Sequence, residues 1–186
     1  ADYLGVGSAS IKRWETGHIQ DRASDNLIRA KSDPFYVEAI EQFLSTHSKI
    51  DPEFTGKKNF SFDLFANALA MLIDYTNSKK YYFKALFYVD FIHYKNHGKG
   101  ITGLHYNALP MGPIPQSYNA LESQLFNKNL FEKIGHHEIK SNFQPNKELF
   151  TTDEIATIDL VIKKLKAEGK NGVFEASHEE FAYLNT

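Results

Sequence analysis

The sequence of 186 residues contains no cysteine. Without cysteine, this stretch of chain cannot form a disulfide, hold zinc through thiolates or use a cysteine nucleophile. The absence fits a reducing compartment, and we therefore expect a cytoplasmic protein.

The sequence also lacks a dominant charge and a long apolar run. Its net charge is −2, so any affinity for DNA would need a local basic patch. The longest apolar run, residues 81–94, is interrupted by Lys84, Asp90 and His93 and is too short to span a bilayer. The first residues lack the pattern of a secretory signal, and an initiator methionine is missing. We expect a piece of a longer protein that does not contact a membrane.

Large apolar side chains are abundant. Hydrophobic residues make up 42% and aromatic residues 14% of the sequence, which is enough to build a core. Apolar residues at helical spacing predict helices over residues 35–47, 62–75, 80–96, 116–133 and 151–169. Thr151 and Glu154 have the spacing of a capping box at the start of the last helix, and Gly169 is expected to end it.

The remaining segments predict a little β-structure and a domain boundary. Residues 101–109 are β-like, the prolines and glycine of residues 110–115 predict irregular backbone, and residues 136–150 suggest a short strand pair. Chain-breaking residues between 50 and 58 separate a first domain, residues 1–50, from a second, residues 56–186. The predicted fold class is mainly α (α+β), a helical domain with a small β element.

The most patterned part of the first domain is a short helix that follows a turn. Ile11 and Trp14 lie three residues apart and are expected to face a core, whereas Ser10, Lys12 and Arg13 are expected to point outward. A helix-turn-helix needs this arrangement, an apolar back that holds the angle and a polar front that enters the major groove.

This helix closes with the run Arg13-Trp14-Glu15-Thr16-Gly17. The run resembles the Xre-like helix-turn-helix of antitoxins of the MqsA/YgiT type, although the first scaffold helix is absent. The resemblance implies DNA binding, with Arg13 as the base-contacting candidate and Ser10 and Lys12 beside it on a base edge or phosphate. The alternative is that these are ordinary solvated charges, because acidic neighbours nearly cancel them. We therefore expect operator DNA binding from the full-length protein rather than from this fragment.

The centre of the sequence carries several ordered motifs. They are a Leu-x-Tyr-x-Asp motif within the predicted helix, with Asp90 as its last residue, an Ile-Thr-Gly segment at 101–103, and Ala-x-Pro-x-Gly-Pro-x-Pro at 108–115. Ser177-His178-Glu179-Glu180 follows the last helix. Together these motifs resemble the Panacea domain, also called SocA-like or phage GepA-like, over residues 60–186. By this resemblance Asp90, Gly112, Pro113 and His178 are structural motif residues.

The chemistry of Asp90 can also be argued from the residues. An unpaired carboxylate on an apolar helix costs several kcal/mol, so Asp90 should have donors, either backbone amides of residues 103–112 or the His105 ring. Gly112 suggests a backbone shape that few residues adopt, and Pro113 stiffens the chain after it. These residues predict a rigid loop fixed onto the central helix, which is either a binding edge or a structural clasp.

The Panacea resemblance implies the antitoxin of a type II toxin–antitoxin pair, of the kind found in prophages. Its partners would be a cognate toxin and operator DNA, with a homodimer also open. The contact candidates are large residues around the rigid loop, although they are equally suited to the core: Tyr106, Met111, Ile114 and Tyr118. The alternatives are a SocA-like adaptor that delivers a toxin to an ATP-dependent protease, and a DNA-binding transcriptional regulator.

The polar residues support catalysis or metal binding less well than they support a protein that acts by binding. His93 and His97 lie four residues apart, a spacing that can chelate zinc on a helix, but His97 is at the helix end and no metalloprotease motif is present. Ser177 and Thr102 lack the context of a catalytic nucleophile. We expect no enzymatic activity, no metal and no cofactor.

Overall fold

The computed structural model describes residues 6–20, 24–25, 28, 53–109, 112–135 and 137–179, with side chains up to residue 169. The α-helices with described bounds are α1 Ser8–Glu15, α2 Phe62–Leu72, α3 Lys79–His97, α4 Tyr118–Asn127 and α5 Thr152–Glu179, and a short 3-10 helix spans Lys147–Leu149. The strands are β1 Tyr106–Leu109, β2 Gly112–Pro115, β3 Phe131–Lys133 and β4 Ile139–Ser141. The predicted mainly α fold with a small β element is confirmed. The helix predicted over residues 35–47 lies outside the described residues.

Helix α2 forms one wall of the core. It begins at Ser61, whose hydroxyl accepts a hydrogen bond from the Leu64 amide at 3.3 Å, a typical N-cap. Residues 65–72 are all buried. The small side chains among them, Ala66, Ala68 and Ala70, allow neighbouring elements to pack closely. The predicted helix over 62–75 is confirmed, except that its last residues form a turn.

Helix α3 is the centre of the domain and contacts α2, α5 and β2. It is buried in an unbroken run from Tyr82 to Asp90, as predicted for a helix that is apolar on nearly every side. Gly98 ends it in the left-handed conformation, with φ of 70°, which glycine adopts without a steric penalty.

Helix α5 begins with the predicted capping box. The Glu154 amide donates to Thr151 Oγ1 at 3.2 Å, and the Thr151 amide donates to Glu154 Oε2 at 2.9 Å. Gly169 interrupts this helix, as predicted: its φ of 69° and ψ of 178° are not helical. The sequence did not predict that a second helical stretch follows the break and continues to Glu179, so the two stretches of α5 meet at a kink.

Strands β1 and β2 pair as an antiparallel hairpin, which corrects the prediction of irregular backbone for residues 112–115; residues 110–111 lie outside the described residues. The register pairs Tyr106 with Pro115 and Ala108 with Pro113. Proline has no amide hydrogen, so it is tolerated in a strand where that hydrogen would point away from the partner strand. Composition alone could not show that both prolines occupy such positions.

A second hairpin replaces the end of a predicted helix. Helix α4 ends at Asn127 instead of continuing to residue 133, and Asn129 takes a left-handed φ of 54°, a conformation in which asparagine often follows a helix. The chain then forms β3, which pairs with β4. The strand pair expected within residues 136–150 therefore exists, but its first strand begins at Phe131.

Candidate functional site

The site is built around the carboxylate of Asp90, buried on α3. Oδ1 accepts hydrogen bonds from the amides of Ile101 at 2.8 Å and Thr102 at 2.7 Å. Oδ2 accepts from the Thr102 hydroxyl at 2.5 Å and the Tyr106 hydroxyl at 2.8 Å. Burial raises the pKa of Asp90 above its usual range, and the hydrogen bonds from Thr102, Tyr106 and Ile101 act in the opposite direction. The carboxylate thus fixes both the loop after α3 and the first residue of β1.

The donors differ from those that the sequence predicted. Asp90 has partners, as its burial required, but the amides belong to residues 101–102 and not to residues 103–112. The ring of His105 does not serve Asp90; its Nδ1 lies 3.0 Å from Gln116 Oε1. Sequence reasoning missed Thr102, although a threonine in the Ile-Thr-Gly motif supplies both an amide and a hydroxyl and could have indicated this role.

The loop after α3 is also held from its other side. The Ser61 amide donates to the Thr102 carbonyl at 3.0 Å, and the Gly100 amide donates to the Gly56 carbonyl at 2.7 Å. A Cβ on Gly103 would lie 2.4 Å from the Asn59 carbonyl oxygen, and Gly103 has φ of 74°. A side chain at residue 103 is therefore excluded twice, by the backbone conformation and by lack of space.

Tyr106 connects this loop to the hairpin. Besides its bond to Asp90, its ring packs edge-on against Phe87, with centroids 5.4 Å apart. Burial and the adjacent Asp90 charge raise the pKa of Tyr106 well above its usual range, so the hydroxyl stays protonated and can act as a donor. Tyr106, a candidate for partner contact, therefore holds the start of β1 against α3.

Two of the other partner-contact candidates are likewise packed against the core. Ile114 and Tyr118 are half-buried against the core cluster, and Tyr118 packs edge-on against Phe83 at 6.0 Å. Met111 lies outside the described residues. Among the described residues, the exposed Leu109 ends β1 and the exposed Phe54 lies beside His105, the residue before β1. No pattern in the sequence distinguished Phe54, because the exposure of a single aromatic residue depends on tertiary packing.

Of the remaining structural motif residues, Gly112 and Pro113 lie within the residues that are described in full. Gly112 has φ of 99°, which fits the unusual backbone predicted for it. Gly112 and Pro113 are both buried in β2, and β2 packs against α3 and α5. His178 lies in the second part of α5, where the side chains are outside the described residues.

The DNA-binding candidates lie on α1. Lys12 and Arg13 are exposed and Ser10 is half-buried, and Arg13 Nη2 donates to Ser10 Oγ at 3.4 Å. Ile11 and Trp14, expected to face a core, are half-buried, and no residue of α1 is buried. Residues 1–5, which precede α1 and the turn before it, are outside the described residues. A short helix is therefore present, and a helix-turn-helix is not established.

A second polar cluster joins α3 to α5. His93 Nδ1 lies 2.9 Å from Thr157 Oγ1, and the His93 and His97 rings stack at 4.4 Å. Burial lowers the pKa of His93, and the neighbouring His97 charge lowers it further. Among the described residues, no group of three or more histidine, aspartate or glutamate side chains is arranged to hold a metal ion.

The same cluster contains an ion pair between Glu154 and Lys58. Lys58 Nζ lies 2.6 Å from Glu154 Oε1, and both side chains are largely buried. Burial alone would raise the pKa of Glu154, but the hydrogen bonds from Lys58 and the Thr151 amide, together with the charges of Lys58 and His93, outweigh it and leave the pKa lowered.

A third polar cluster joins α3 to α4. Glu122, buried on α4, accepts from the Tyr82 hydroxyl at 2.5 Å and from Lys79 Nζ at 2.5 Å. Burial, followed by the charge of Glu122, raises the pKa of Tyr82 well above its usual range. The hydrogen bonds of these residues therefore join α3 to α4.

Comparison with known proteins identifies the family. A family model described as "Antitoxin SocA-like, Panacea domain" matches residues 83–182, more than half of the chain. The chain belongs to the SocA-like Panacea antitoxin family. The match includes most of α3, both hairpins and α4, so Asp90 and its donors lie within the Panacea domain. Searches of curated proteins and of solved structures gave no match.

The family match does not include α1, so it gives no information on the DNA-binding candidates of that helix. Within the described ranges, no helix is both long enough and apolar enough to cross a membrane.

Proposed function

We propose that this Panacea protein neutralises a toxin in the cytoplasm by direct protein–protein binding and without catalysis. The observation that carries the proposal is the match of residues 83–182 to the SocA-like antitoxin family. Neutralisation by binding requires a surface that is held in place before the partner arrives, because a preorganised surface loses less entropy on binding. The Asp90 hydrogen bonds supply such a hold on the loop and hairpin.

The polar groups of the domain support binding more than chemistry. Each oxygen of Asp90 already accepts two hydrogen bonds from the fold, and Glu122 is shared between Tyr82 and Lys79. A general base has to reach the proton that it abstracts from a substrate. Buried carboxylates that are bonded within the fold are poorly suited to that task.

We further propose that the full-length protein represses its own operon through α1. The exposed Lys12 and Arg13 would contact phosphate or base edges of operator DNA, with Ser10 beside them. Helix-turn-helix proteins commonly bind paired half-sites as dimers, so we expect the DNA-bound form to be a homodimer.

The test is a growth rescue with the product of the adjacent gene. That gene is expressed from an inducible promoter with the 186-residue chain or with an empty vector, and the purified proteins are mixed to measure a dissociation constant. Toxin neutralisation predicts growth arrest with the empty vector, recovery with this chain and formation of a complex. A harmless neighbour, or arrest that this chain does not relieve, contradicts the proposal.

The amount of toxin separates occlusion from delivery to a protease. Under occlusion, the toxin level in rescued cells stays unchanged, and rescue persists in a host that lacks the ATP-dependent proteases. Loss of rescue in that host, together with a stable toxin there, favours the adaptor function instead.

A further inference from the structure

Within the described part of the chain, the outer edge of β1 has main-chain groups without a hydrogen-bond partner. The Gln116 amide donates to the His105 carbonyl at 2.7 Å, which makes these two residues a hydrogen-bonded pair of the hairpin. Bonded and non-bonded pairs alternate along an antiparallel ladder. The next bonded pairs are therefore Asn107 with Ile114 and Leu109 with Gly112. It follows that the amides and carbonyls of Tyr106 and Ala108 point away from β2.

The opposite edge of the hairpin is closed to strand addition. The outward positions of β2 are Pro113 and Pro115, which are buried and have no amide hydrogen to donate. Strand β2 also packs against α3 and α5. Within the described part of the chain, the hairpin is a two-stranded sheet without a further strand on β1. The edge of β1 is thus the side on which this sheet can grow.

This edge is both accessible and fixed. Asn107, Ala108 and Leu109 are exposed, whereas Tyr106 at the start of the strand is bonded to the buried Asp90. An added strand would therefore meet donors and acceptors that are already in extended geometry, which lowers the entropic cost of pairing.

Two exposed apolar groups lie at the ends of β1. Phe54 is 60% exposed, and its ring lies 5.6 Å from that of His105, the residue before the strand. Leu109, the last residue of the strand, is 41% exposed. His105 and Leu109 fall on the same face of the strand, because alternate residues share a face. A strand that pairs with β1 would place its own alternate side chains between these two groups.

We propose that an extended segment of the cognate toxin adds to the edge of β1 as a third strand. This inference rests on the proposed function, because it names the surface and the mode of toxin binding. Main-chain bonds to Tyr106 and Ala108 supply the pairing, and apolar side chains of the segment contact Phe54 and Leu109, a division of roles known for strand addition. The segment is free of proline at the paired positions and apolar at the alternate positions that face Phe54 and Leu109.

The first experiment replaces the outward amide of β1. Ala108→Pro removes an amide that the hairpin does not use and places a ring where the added strand would lie, whereas Ala108→Ser keeps the amide and serves as the matched control. The dissociation constant between the full chain and the product of the adjacent gene is measured for each variant, with folding checked by thermal unfolding. We expect Ala108→Pro to weaken binding about tenfold or more and Ala108→Ser to stay within about threefold of the parent. Equal binding by a folded Ala108→Pro variant overturns the inference.

The second experiment needs no variant. Amide hydrogen exchange of Tyr106 and Ala108 is measured in the unmodified chain, alone and in the complex. Strand addition predicts that both amides exchange rapidly in the free chain and become protected in the complex.

Three outcomes contradict the inference in distinguishable ways. If the unmodified chain does not bind the neighbouring gene product, the proposed function fails and the inference fails with it. If the complex forms but these amides stay unprotected, strand addition at β1 is wrong and the proposed function stands. If the amides are already protected in a free chain with the mass of a dimer, a second copy occupies the edge and the toxin is not its ligand.

Discussion

Asp90 connects helix α3, on which it lies, to the loop that follows this helix and to the start of β1. Its two oxygens hold Ile101 and Thr102 in the loop and Tyr106 at the start of β1. Removal of a buried acceptor leaves its donors without partners, and an unpartnered buried group costs more than the net value of the bond. Single residues of this site therefore affect stability out of proportion to their size.

We expect Asp90→Ala to lower the free energy of unfolding by about 3 kcal/mol or more, measured by chemical denaturation. Asp90→Asn keeps one acceptor oxygen and should cost less. Asp74→Ala, at an exposed aspartate, is the control and should change the free energy by less than about 0.5 kcal/mol. A cost for Asp90→Ala no larger than that of the control would show that the bonds contribute nothing.

Two glycines of this region form a natural matched pair. Gly103 and Gly98 have nearly the same backbone angle, with φ of 74° and 70°. A Cβ at residue 103 would meet the Asn59 carbonyl at 2.4 Å, whereas no atom of the described residues lies within 4 Å of one at residue 98. Gly98→Ala should cost about 1 kcal/mol for the conformation alone, and Gly103→Ala at least about 2 kcal/mol more. Equal losses in thermal or chemical unfolding would show that the contact at Asn59 is relieved without cost.

At the scale of the elements, the contacts that hold α5 in place are concentrated at its first turn. Thr151 and Glu154 satisfy each other's backbone amides, Glu154 pairs with Lys58 and Thr157 contacts His93 of α3. The start of α5 is therefore tied both to α3 and to the segment before α2. A helix N-terminus with free amides would otherwise leave donors unsatisfied at this junction.

We expect Glu154→Gln to reduce stability in a pH-dependent way. The folded state lowers the pKa of Glu154 below the ordinary 4.5, so the ionised carboxylate contributes stability that is fully present above that pH. The contribution is lost as the pH falls through the lower folded-state pKa. The free-energy difference between the parent and Glu154→Gln should therefore be constant near neutral pH and shrink in acid. The exposed Glu148→Gln is the control, and a difference independent of pH would assign the effect to packing instead of charge.

On the scale of the whole molecule, the proposed toxin binding and the proposed DNA binding involve separate regions of the chain. The family match covers residues 83–182, and the basic candidates Lys12 and Arg13 lie on α1 outside it. Phosphate and base contacts depend on individual cations, whereas toxin binding is proposed for a strand edge. The two activities should therefore respond to different substitutions.

We expect Lys12→Ala combined with Arg13→Ala to weaken operator binding by the full-length protein about tenfold or more without affecting toxin neutralisation. Gel retardation with operator DNA measures the first effect, and the growth rescue measures the second. Glu15→Gln, an exposed change on the same helix, should not weaken DNA binding. Unchanged retention by the double variant would remove α1 from the DNA-binding function.

The sequence determined the features that depend on local chemistry. Helical periodicity located α2 and α3, the Thr151 and Glu154 spacing gave the start of α5, and the burial of Asp90 on an apolar helix required hydrogen-bond donors. These predictions succeeded because propensity, capping and the cost of a buried charge act over a few residues.

Only the tertiary structure decided which distant groups meet. It selected Thr102 and Tyr106 as donors to Asp90, turned Pro113 and Pro115 into outward positions of a strand, and added a second helical stretch after the break at Gly169. It also exposed the edge of β1 while it packed Tyr106 against Phe87. Register and burial depend on contacts between elements remote in sequence, so the local pattern of residues cannot specify them.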